Sequence, residues 1–349
     1  MFITSGVNSM RPSSKTPGKC LGTPAEGISV ARTETFGVAT YNIENYLDAS
    51  SSKGRVKSAE SKAKVRESIR AINPDVLALQ EVGSVATLME FRASLKAEGF
   101  DFPHWEHVTG SDADLHVAIL SRFPFSARRA HTGDSFELGG HRFRVRRGFA
   151  EVDVQVNAGY QFTLFVAHLK SRNAVPDGDA AGLRLEEAKL LRAKIDARLA
   201  ISAEAKIIVL GDFNDTEDSA AVKTIRGVGG GELFDTRPTE ASNGTAAIPL
   251  PGIATQGAAW TTFYEGKDRY DRIDYVLISK ALKADWVAAE SHVLAIPGWK
   301  TASDHRPVVA VFKAGTGQRV GSCSEQRTRG EEGRGISQLF TAIEKRGGR

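Results

Sequence analysis

The sequence predicts an α+β fold in which mostly antiparallel β-sheets carry helices on their outer faces. Two observations indicate this class. Segments with the pattern of strands outnumber those with the pattern of helices, and most neighbouring strand segments are joined by links of hairpin length. A doubly wound fold would instead alternate strands with helices. The chain has 349 residues, of which 41% are hydrophobic, so it can bury a sizeable core.

Each element is predicted from the periodicity of its apolar residues and from the residues that end it. The helix over 61–72 has apolar residues at helical spacing and stops before Asn73 and Pro74. Ser84 is placed to cap the next helix, which Gly99 terminates. The predicted strands are 36–42, 75–81, 117–121, 143–147, 150–156, 162–168, 207–210, 273–278 and 307–312, and the predicted helices are 61–72, 84–99 and 183–199. Residues 227–251, rich in Gly and Pro, are expected to form an irregular surface excursion.

Both ends of the chain have the composition of disordered segments. Residues 1–35 and 314–349 are rich in small and polar residues, so the folded domain is predicted at 36–313. One short amphipathic helix is expected over 336–343. Cys20 and Cys323 lie in these ends, so the core has no disulfide and no cysteine ligand for a metal.

The composition also bears on compartment and partners. The formal net charge of +4 permits a polyanionic partner without requiring one. No apolar run is long enough to span a bilayer, and we expect a monomer without a stable protein partner. The first residues lack the apolar region of a secretory signal, which favours the cytoplasm. Secretion would require a different start site, for example Met10.

The stretch 207–214 carries the strongest local signal for a functional site. Its first four residues are aliphatic and predict a buried strand, which ends at Gly211. Asp212 and Asn214 follow on alternate positions and would share one side, with Phe213 pointing into the core. Two interpretations remain open on this stretch alone. Asp212 and Asn214 either bind a metal-activated water and a phosphate oxygen, or Asp212 caps a helix over 218–225 with Asn214 in a turn.

Polar side chains recur where other predicted strands begin or end. One such residue is ordinary, but a repeated arrangement is difficult to attribute to capping and turns. The residues are Asn42, Glu81, His168, Asp212, Asn214, Asp274, Asp304 and His305.

These residues lie in segments that resemble the endonuclease/exonuclease/phosphatase superfamily of divalent-metal phosphoesterases, also described as DNase I-like. The matching segments, in the order of the family, are Thr40-Tyr-Asn-Ile-Glu44, Leu79-Gln-Glu-Val82, Ala167-His-Leu169, Gly211-Asp-Phe-Asn214, Arg272-Ile-Asp-Tyr275 and Ser303-Asp-His-Arg-Pro307. The fourth and sixth together are specific, whereas the third alone would be weak. The resemblance implies a four-layer α/β/β/α sandwich, with two β-sheets packed face to face and the site at one end of the sheets.

A phosphodiester repels hydroxide, so its hydrolysis needs charge neutralisation, an aimed nucleophile and a proton for the leaving oxygen. Glu81 is the best candidate ligand for Mg²⁺ or Mn²⁺, because one or two carboxylates usually hold such an ion. Asn42 would support the metal shell or a phosphate oxygen. The resemblance implies that Asp304 is a ligand of the metal or of a metal-bound water.

The resemblance also implies the acid–base groups. His305 would be oriented by Asp274, for which Asp271 is a rival that the spacing disfavours. Whether His305 or Asp212 activates the water stays open. His168 would lie on the opposite side of the phosphate and stabilise it or protonate the leaving group, and Asn214 would bind a phosphate oxygen or orient Asp212.

The substrate is predicted less directly. Arg144 lies in the basic run Arg142, Arg144, Arg146 and Arg147, which is suited to a nucleic-acid backbone. The alternation with Phe143 and Val145 also fits the solvated face of a strand. The segment Asn45-Tyr-Leu-Asp48 departs from the pattern of abasic-site endonucleases, and no exposed aromatic hairpin of the sphingomyelinase kind is evident. We therefore predict a nuclease acting on nucleic acid as an endonuclease or exonuclease. The alternatives are a phosphomonoesterase or small phosphodiesterase, for inositol phosphates or lipid headgroups, and an inactive binding module.

Overall fold

The computed structural model describes residues 35–47, 56–175, 179–240 and 258–315. The predicted disordered ends lie outside these residues except for Thr35, Ala314 and Gly315. The helix expected over 336–343, both cysteines and part of the 227–251 excursion also lie outside. Thr35 belongs to a strand and Ala314 is buried, one residue beyond each predicted domain boundary.

The described residues form five α-helices and seventeen strands. In chain order they are β1 (Thr35–Tyr46), α1 (Ala59–Ile72), β2 (Val76–Val82), α2 (Val85–Ala97), β3 (His104–Val108), β4 (His116–Ser121), β5 (Phe125–His131), β6 (Ser135–Leu138), β7 (His141–Arg144), β8 (Phe149–Asn157), β9 (Tyr160–His168), α3 (Ala180–Ile201), β10 (Ile207–Asp212), α4 (Ala220–Arg226), β11 (Phe234–Asp235), β12 (Thr239–Glu240), β13 (Thr262–Tyr264), β14 (Arg269–Asp271), β15 (Asp274–Ile278), β16 (His292–Val293), α5 (Trp299–Ala302) and β17 (Val308–Lys313).

The strands build two large sheets and two hairpins. The first sheet has seven strands in the order β12-β16-β17-β1-β2-β4-β3, and the second has six in the order β11-β15-β10-β9-β8-β5. Most neighbouring strands are antiparallel, but β1–β2 and β12–β16 are parallel in the first sheet and β9–β10 is parallel in the second. The hairpins are β6–β7 and β13–β14.

Three apolar clusters separate four layers. The first lies between the sheets and joins Phe36 of one sheet to Ile208 of the other. The second packs α1 and α2 on the outer face of the first sheet, and the third packs α3 and α4 on the outer face of the second. Burial of both faces explains why the central strands are apolar without alternation. The α/β/β/α sandwich with helices outside is confirmed.

The helix ends follow the predicted chemistry. Ser84 accepts a hydrogen bond from the Thr87 backbone and caps α2, as the sequence predicts. Asn73 ends α1 in the left-handed conformation, directly before Pro74. Ser219 caps α4, so the alternative in which Asp212 caps that helix is wrong.

The predicted strand over 143–147 is wrong in its second half. β7 ends at Arg144, because the next residues bind other elements instead of a neighbouring strand. The Val145 backbone N–H donates to Asp134 O, and that of Arg146 donates to the carboxylate of Glu187 on α3. β3 and β5 have no counterpart among the predicted strands. Both are edge strands with partly exposed side chains, so they lack the continuous apolar run of a central strand.

None of the helices in the described ranges combines the length and the hydropathy required to cross a bilayer.

Candidate active site

The two sheets bring the predicted site residues to one end of the sandwich. Parallel strands end at the same edge, so β1 and β2 place Asn42 and Glu81 together, and β9 and β10 pair His168 with Asp212. β15 runs antiparallel to β10 and therefore begins there, with Asp274 opposite Asp212. Asp304 and His305 lie directly before β17, which runs antiparallel to β1. The mixed pairing of the strands thus collects residues from six separate segments.

Asp212 lies at the centre of the site, and the residue is 1% exposed. Its Oδ2 accepts from Asn42 Nδ2 at 3.0 Å and lies 3.4 Å from His168 Nε2 and 3.7 Å from His305 Nε2. Its Oδ1 accepts from the Asn214 backbone N–H at 2.8 Å. Side chains from three other segments therefore converge on one buried carboxylate.

Gly211 permits this arrangement, because the two sheet strands approach closely at its position. Its φ is 135°, and a Cβ there would lie 1.9 Å from the Ala167 carbonyl oxygen. Any larger residue would push β10 away from β9 and separate Asp212 from His168. Phe213 is fully buried and stacks on Tyr275, which anchors the turn that follows.

His305 is held by Asp274. His305 Nδ1 lies 2.8 Å from Asp274 Oδ2, which leaves Nε2 facing Asp212 and 4.0 Å from Asp304 Oδ1. The rival Asp271 instead binds Arg172 and Arg269. Asp274 is itself fixed, because the backbone N–H groups of Ile273 and Asp274 both donate to Thr261 Oγ1.

Burial and neighbouring charges set the ionisation of this pair. Burial raises the pKa of Asp212 to about 7, and Asp274 adds to the effect, although His305 opposes it. Burial alone would lower the pKa of His305, but the carboxylates of Asp274 and Asp212 outweigh it and raise its pKa well above the usual value. At neutral pH His305 therefore holds its proton, while Asp212 is poised to exchange one.

Glu81 reaches the site through a local distortion of β2. The β1–β2 pairing shifts register after Asn42 and Gln80, and Glu81, Glu44 and Asn45 all have positive φ. Such bulges re-aim side chains beside active sites. Glu81 Oε1 accepts from Asn42 Nδ2 at 3.4 Å and Oε2 accepts from the Asn45 backbone at 2.9 Å. The Asn42 amide thus links Glu81 to Asp212, while its oxygen accepts from the Glu44 backbone.

The donor set suits a hard divalent cation. Glu81 is half-buried and Asp304 is partly exposed, and both offer carboxylate oxygens, which Mg²⁺ and Mn²⁺ prefer. Asp274 Oδ1 has no hydrogen-bond partner within the described ranges. Asp212, Asp274 and His305 also lie close enough to hold an ion jointly. Within that group, Asp274 Oδ2 already pairs with His305 Nδ1 at 2.8 Å.

Asn214 lies beside Asp212 with its Nδ2 donating to the Leu169 carbonyl oxygen at 3.0 Å. Asn214 thereby joins the turn after β10 to the turn after β9. Its φ of 54° is the left-handed conformation that Asn tolerates better than most residues. It contacts Asp212 through its backbone.

Arg144 lies farther out, on the exposed hairpin β6–β7, where it donates to the Thr132 carbonyl oxygen. It lines a cleft of about 390 Å³ together with Arg142, Arg146 and Lys170. A second cleft of about 400 Å³ shares Arg146 and Lys170 and contains Glu81 and Arg147. We name this second space the cationic cleft. Arg147 is buried, so the solvated-face interpretation of the basic run is wrong for this residue.

Two lysines and a serine lie near the site, although the sequence did not predict them as site residues. Lys57 is largely buried, pairs with Glu44 at 3.7 Å and donates to Ala302 O. Lys170 is buried in the cationic cleft, and burial with the nearby Arg147 and Arg146 lowers its pKa to about 8. Ser303 Oγ donates to Asn42 O and accepts from the His305 backbone. Only its place in the Ser-Asp-His segment could have drawn attention to Ser303.

The family model for the endonuclease/exonuclease/phosphatase family matches residues 39–305. The search of curated proteins gives no match. Solved structures similar to this chain include the human nocturnin catalytic domain with bound sulfate, at 18% identity and a TM-score of 0.56, covering 80% of this chain and 94% of that one. An endonuclease/exonuclease/phosphatase from Beutenbergia cavernae is 23% identical with a TM-score of 0.54 over 81% and 72%. Sphingomyelinase C from Streptomyces griseocarneus is 18% identical with a TM-score of 0.51 over 80% and 100%.

These structural likenesses establish the fold, and the family match covers every residue of the assembled site. Members of the family are generally phosphoric ester hydrolases that depend on a divalent metal. The chain therefore belongs to the endonuclease/exonuclease/phosphatase family.

Proposed function

We propose that the protein is a Mg²⁺- or Mn²⁺-dependent phosphodiesterase that cleaves nucleic acid. The observation that carries this proposal is that the acid–base cluster and the cationic cleft adjoin each other. The acid–base cluster around Asp212 lies next to Glu81, and Glu81 also lines the cationic cleft. A hydrolytic centre and a binding region for neighbouring phosphates thus share one residue.

Glu81 and Asp304 would hold the cation, which neutralises phosphate charge and polarises the scissile bond when bound. Asp212 would accept the proton of the attacking water, because its raised pKa suits a general base near neutral pH. Asn42 and the Asn214 backbone fix the Asp212 carboxylate in place. His305, protonated and oriented by Asp274, would donate through Nε2 to the charge that develops on the phosphate oxygens.

His168 completes the set from the neighbouring strand. Its Nε2 points at Asp212 from β9, whereas His305 approaches the same oxygen from the β17 side. Two imidazoles from different segments near one carboxylate oxygen suit a phosphate that is contacted by more than one donor. We assign His168 to stabilisation of the phosphate or protonation of the leaving oxygen.

The cationic cleft favours a polymer over a small phosphomonoester. Arg146, Arg147 and Lys170 line it, and Arg147 Nε is buried without a hydrogen-bond partner among the described residues. A nucleic-acid strand presents further phosphates beside the scissile one, and arginine donors bind such groups well. Arg146 and Arg147 also pair with Asp112, which lines the same cleft. A phosphomonoester that fills the catalytic centre alone would leave this cleft unoccupied. The presence of Glu81, Asp212 and His305 together argues against an inactive binding module.

One assay series tests the proposal. Purified protein is stripped with EDTA, its metal content is verified by elemental analysis, and Mg²⁺ or Mn²⁺ is added back. The substrates are plasmid DNA, single-stranded DNA, RNA, inositol phosphates and bis-p-nitrophenyl phosphate, with Asp212→Asn as the control for contaminating nucleases. We expect metal-dependent cleavage of nucleic acid that Asp212→Asn lacks. Turnover confined to inositol phosphates, or full activity of metal-free protein, would overturn the proposal.

A further inference from the structure

The hairpin β13–β14 exposes aromatic side chains beside the site, contrary to the sequence expectation that no exposed aromatic hairpin is present. Tyr264 and Tyr270 are 53% and 55% exposed. Within the described ranges they are the only Tyr, Trp or Phe residues that are mostly exposed to solvent. Phe263 stacks on Tyr270 with ring centroids 4.5 Å apart, and Trp260 meets the edge of Tyr270 at 4.9 Å. Nothing in the proposed hydrolysis uses this cluster.

The hairpin is bonded directly to the catalytic segments. The Phe263 backbone N–H and Thr262 Oγ1 both donate to the Asp304 carbonyl oxygen. Thr262 also forms a β-bridge with His305. At the other end, β14 leads within three residues to Asp274. The aromatic rings are therefore held at a fixed position relative to the groups that act on the phosphate.

The hairpin lines an open cleft that contains Asp304. This cleft of about 590 Å³ is lined by Phe263, Tyr264, Lys300 and Asp304, and we name it the aromatic cleft. It shares Asn45 with the cationic cleft. The two clefts therefore meet at the residue whose backbone binds Glu81. An extended ligand that lies across both would pass Asp304 in one cleft and Glu81 in the other.

The charge at the hairpin tip decides between a nucleic acid and a lipid surface. The turn between the two strands is Glu265-Gly-Lys-Asp268, and all four residues are exposed. Inserting two carboxylates and a lysine into a bilayer is costly, so the tip does not suit a membrane anchor. The exposed rings instead lie next to Lys267, Arg269 and Lys300, of which Arg269 pairs with Asp271 and Lys300 pairs with Glu265. Rings beside cations are the combination that binds single strands, in which bases stack and cations contact the backbone.

We propose that the β13–β14 hairpin is a stacking platform for unpaired bases, so that the protein prefers single-stranded segments next to the bond it cleaves. This inference rests on the proposed function. Bases in a duplex are stacked on one another and cannot place a face against Tyr264. Duplex substrate therefore uses the cationic cleft but gains nothing from the hairpin.

Binding to labelled oligonucleotides tests this platform. Affinities are measured by fluorescence anisotropy in the Asp212→Asn background, for a single strand and for a duplex of equal length at one salt concentration. We expect Tyr264→Ala to weaken single-strand binding about tenfold and to leave duplex binding unchanged. Tyr264→Phe, which keeps the ring, should restore the affinity. Val85→Ala serves as the control at an exposed residue on α2.

An abasic single strand supplies the matched change in the ligand. Removing the bases next to the scissile phosphate should weaken binding to the protein with Tyr264 intact and have little further effect with Tyr264→Ala, because both changes remove the same contact. Hydrolysis of bis-p-nitrophenyl phosphate by Tyr264→Ala in an otherwise unaltered chain should match that of the unaltered chain.

Three results would overturn the inference: equal losses on single strand and duplex, no loss on either, or Tyr264-dependent sedimentation with phosphatidylcholine–sphingomyelin vesicles. Failure of the proposed function looks different, because the unaltered chain would then cleave no nucleic acid at all. A chain that cleaves single strands and duplexes equally well, with no effect of Tyr264→Ala, would retain the proposed function and lose only the platform.

Discussion

At the scale of single residues, the site depends on a carboxylate that burial makes hard to ionise. Asp212 is surrounded by Asn42, His168 and His305, each from a different strand or turn. Its raised pKa means that the folded state binds a proton more tightly than the unfolded state. Stability attributable to this group is therefore present below its ordinary pKa and is lost as the pH rises toward about 7.

The first prediction separates catalysis from folding at this residue. Asp212→Asn and His305→Ala should each lower kcat by at least about a hundredfold, the scale of a positioned acid–base group. Asp212→Asn should also keep or raise the Tm at pH 8, because it removes a buried negative charge. Asp196→Asn, at an exposed carboxylate on α3, is the control. Both variants turning over like the unaltered chain while folded would place the site elsewhere.

At the scale of elements, buried charge also joins the helices to the sheets. Glu151 on β8 is 3% exposed and receives hydrogen bonds from Arg129 and His131 of β5 and from Arg198 of α3. Burial alone would raise the pKa of Glu151, but these partners outweigh it and lower the pKa to about 2. The folded state therefore holds a carboxylate that protonates far below its ordinary range.

The second prediction concerns acid stability. Because the folded pKa of Glu151 is depressed, its contribution is present above pH 4.5 and is lost as the pH falls toward 2. Allowing for the partial exposure of its arginine partners, we expect Glu151→Gln to lower the free energy of unfolding by about 2 kcal/mol at pH 7 and by about half of that or less at pH 3. Urea titrations at both pH values measure this.

Glu90→Gln, at an exposed ion pair with Lys62, is the matched control and should change the free energy of unfolding by less than about 1 kcal/mol. Equal effects of Glu151→Gln at pH 7 and pH 3 would show that lost packing, and not the carboxylate charge, is responsible.

The third prediction concerns the hairpin β6–β7 and the segment after it. Arg144 lines the cleft of about 390 Å³, and Arg146 lines both that cleft and the cationic cleft. If a nucleic-acid strand occupies these clefts, Arg144→Ala and Arg146→Ala should each weaken binding across all sequences and make the salt slope shallower by about one. Turnover of bis-p-nitrophenyl phosphate should stay the same. Arg128→Ala, at an exposed arginine on β5, is the control. Unchanged salt slopes for both variants would leave these arginines with a solvent-facing role.

At the scale of the whole molecule, the first and last described strands are neighbours in the seven-stranded sheet. β1 pairs with β17 from Thr35 and Lys313 inward, and Ala314 packs into the cluster between the sheets. All residues assigned to the site lie between Asn42 and His305. The segments that precede Thr33 and follow Gly315 contribute none of them.

The fourth prediction follows from this arrangement. A chain of residues 33–315 should keep the Tm within a few degrees and the turnover of bis-p-nitrophenyl phosphate unchanged, since the core and the site are both retained. Differential scanning calorimetry and steady-state kinetics on both chains measure this. A large loss of turnover with an unchanged Tm would show that an end segment contributes to the site.

The sequence by itself determined the features that neighbouring residues specify. The aliphatic run before Gly211 predicts β10, and the polar residues at the ends of strands predict the site from Asn42 to His305. These signals are local. A strand that is buried on both faces is apolar throughout, and polar residues mark its end within one or two positions.

Only the tertiary structure decided which of these residues meet and what surrounds them. Asp274 rather than Asp271 holds His305, because the antiparallel pairing of β15 with β10 brings Asp274 opposite Asp212. Edge strands such as β5 and the aromatic face of β13–β14 escaped prediction for a related reason. Whether a polar or aromatic side chain is covered depends on chain segments distant in sequence, and their arrangement is fixed by packing of the two sheets.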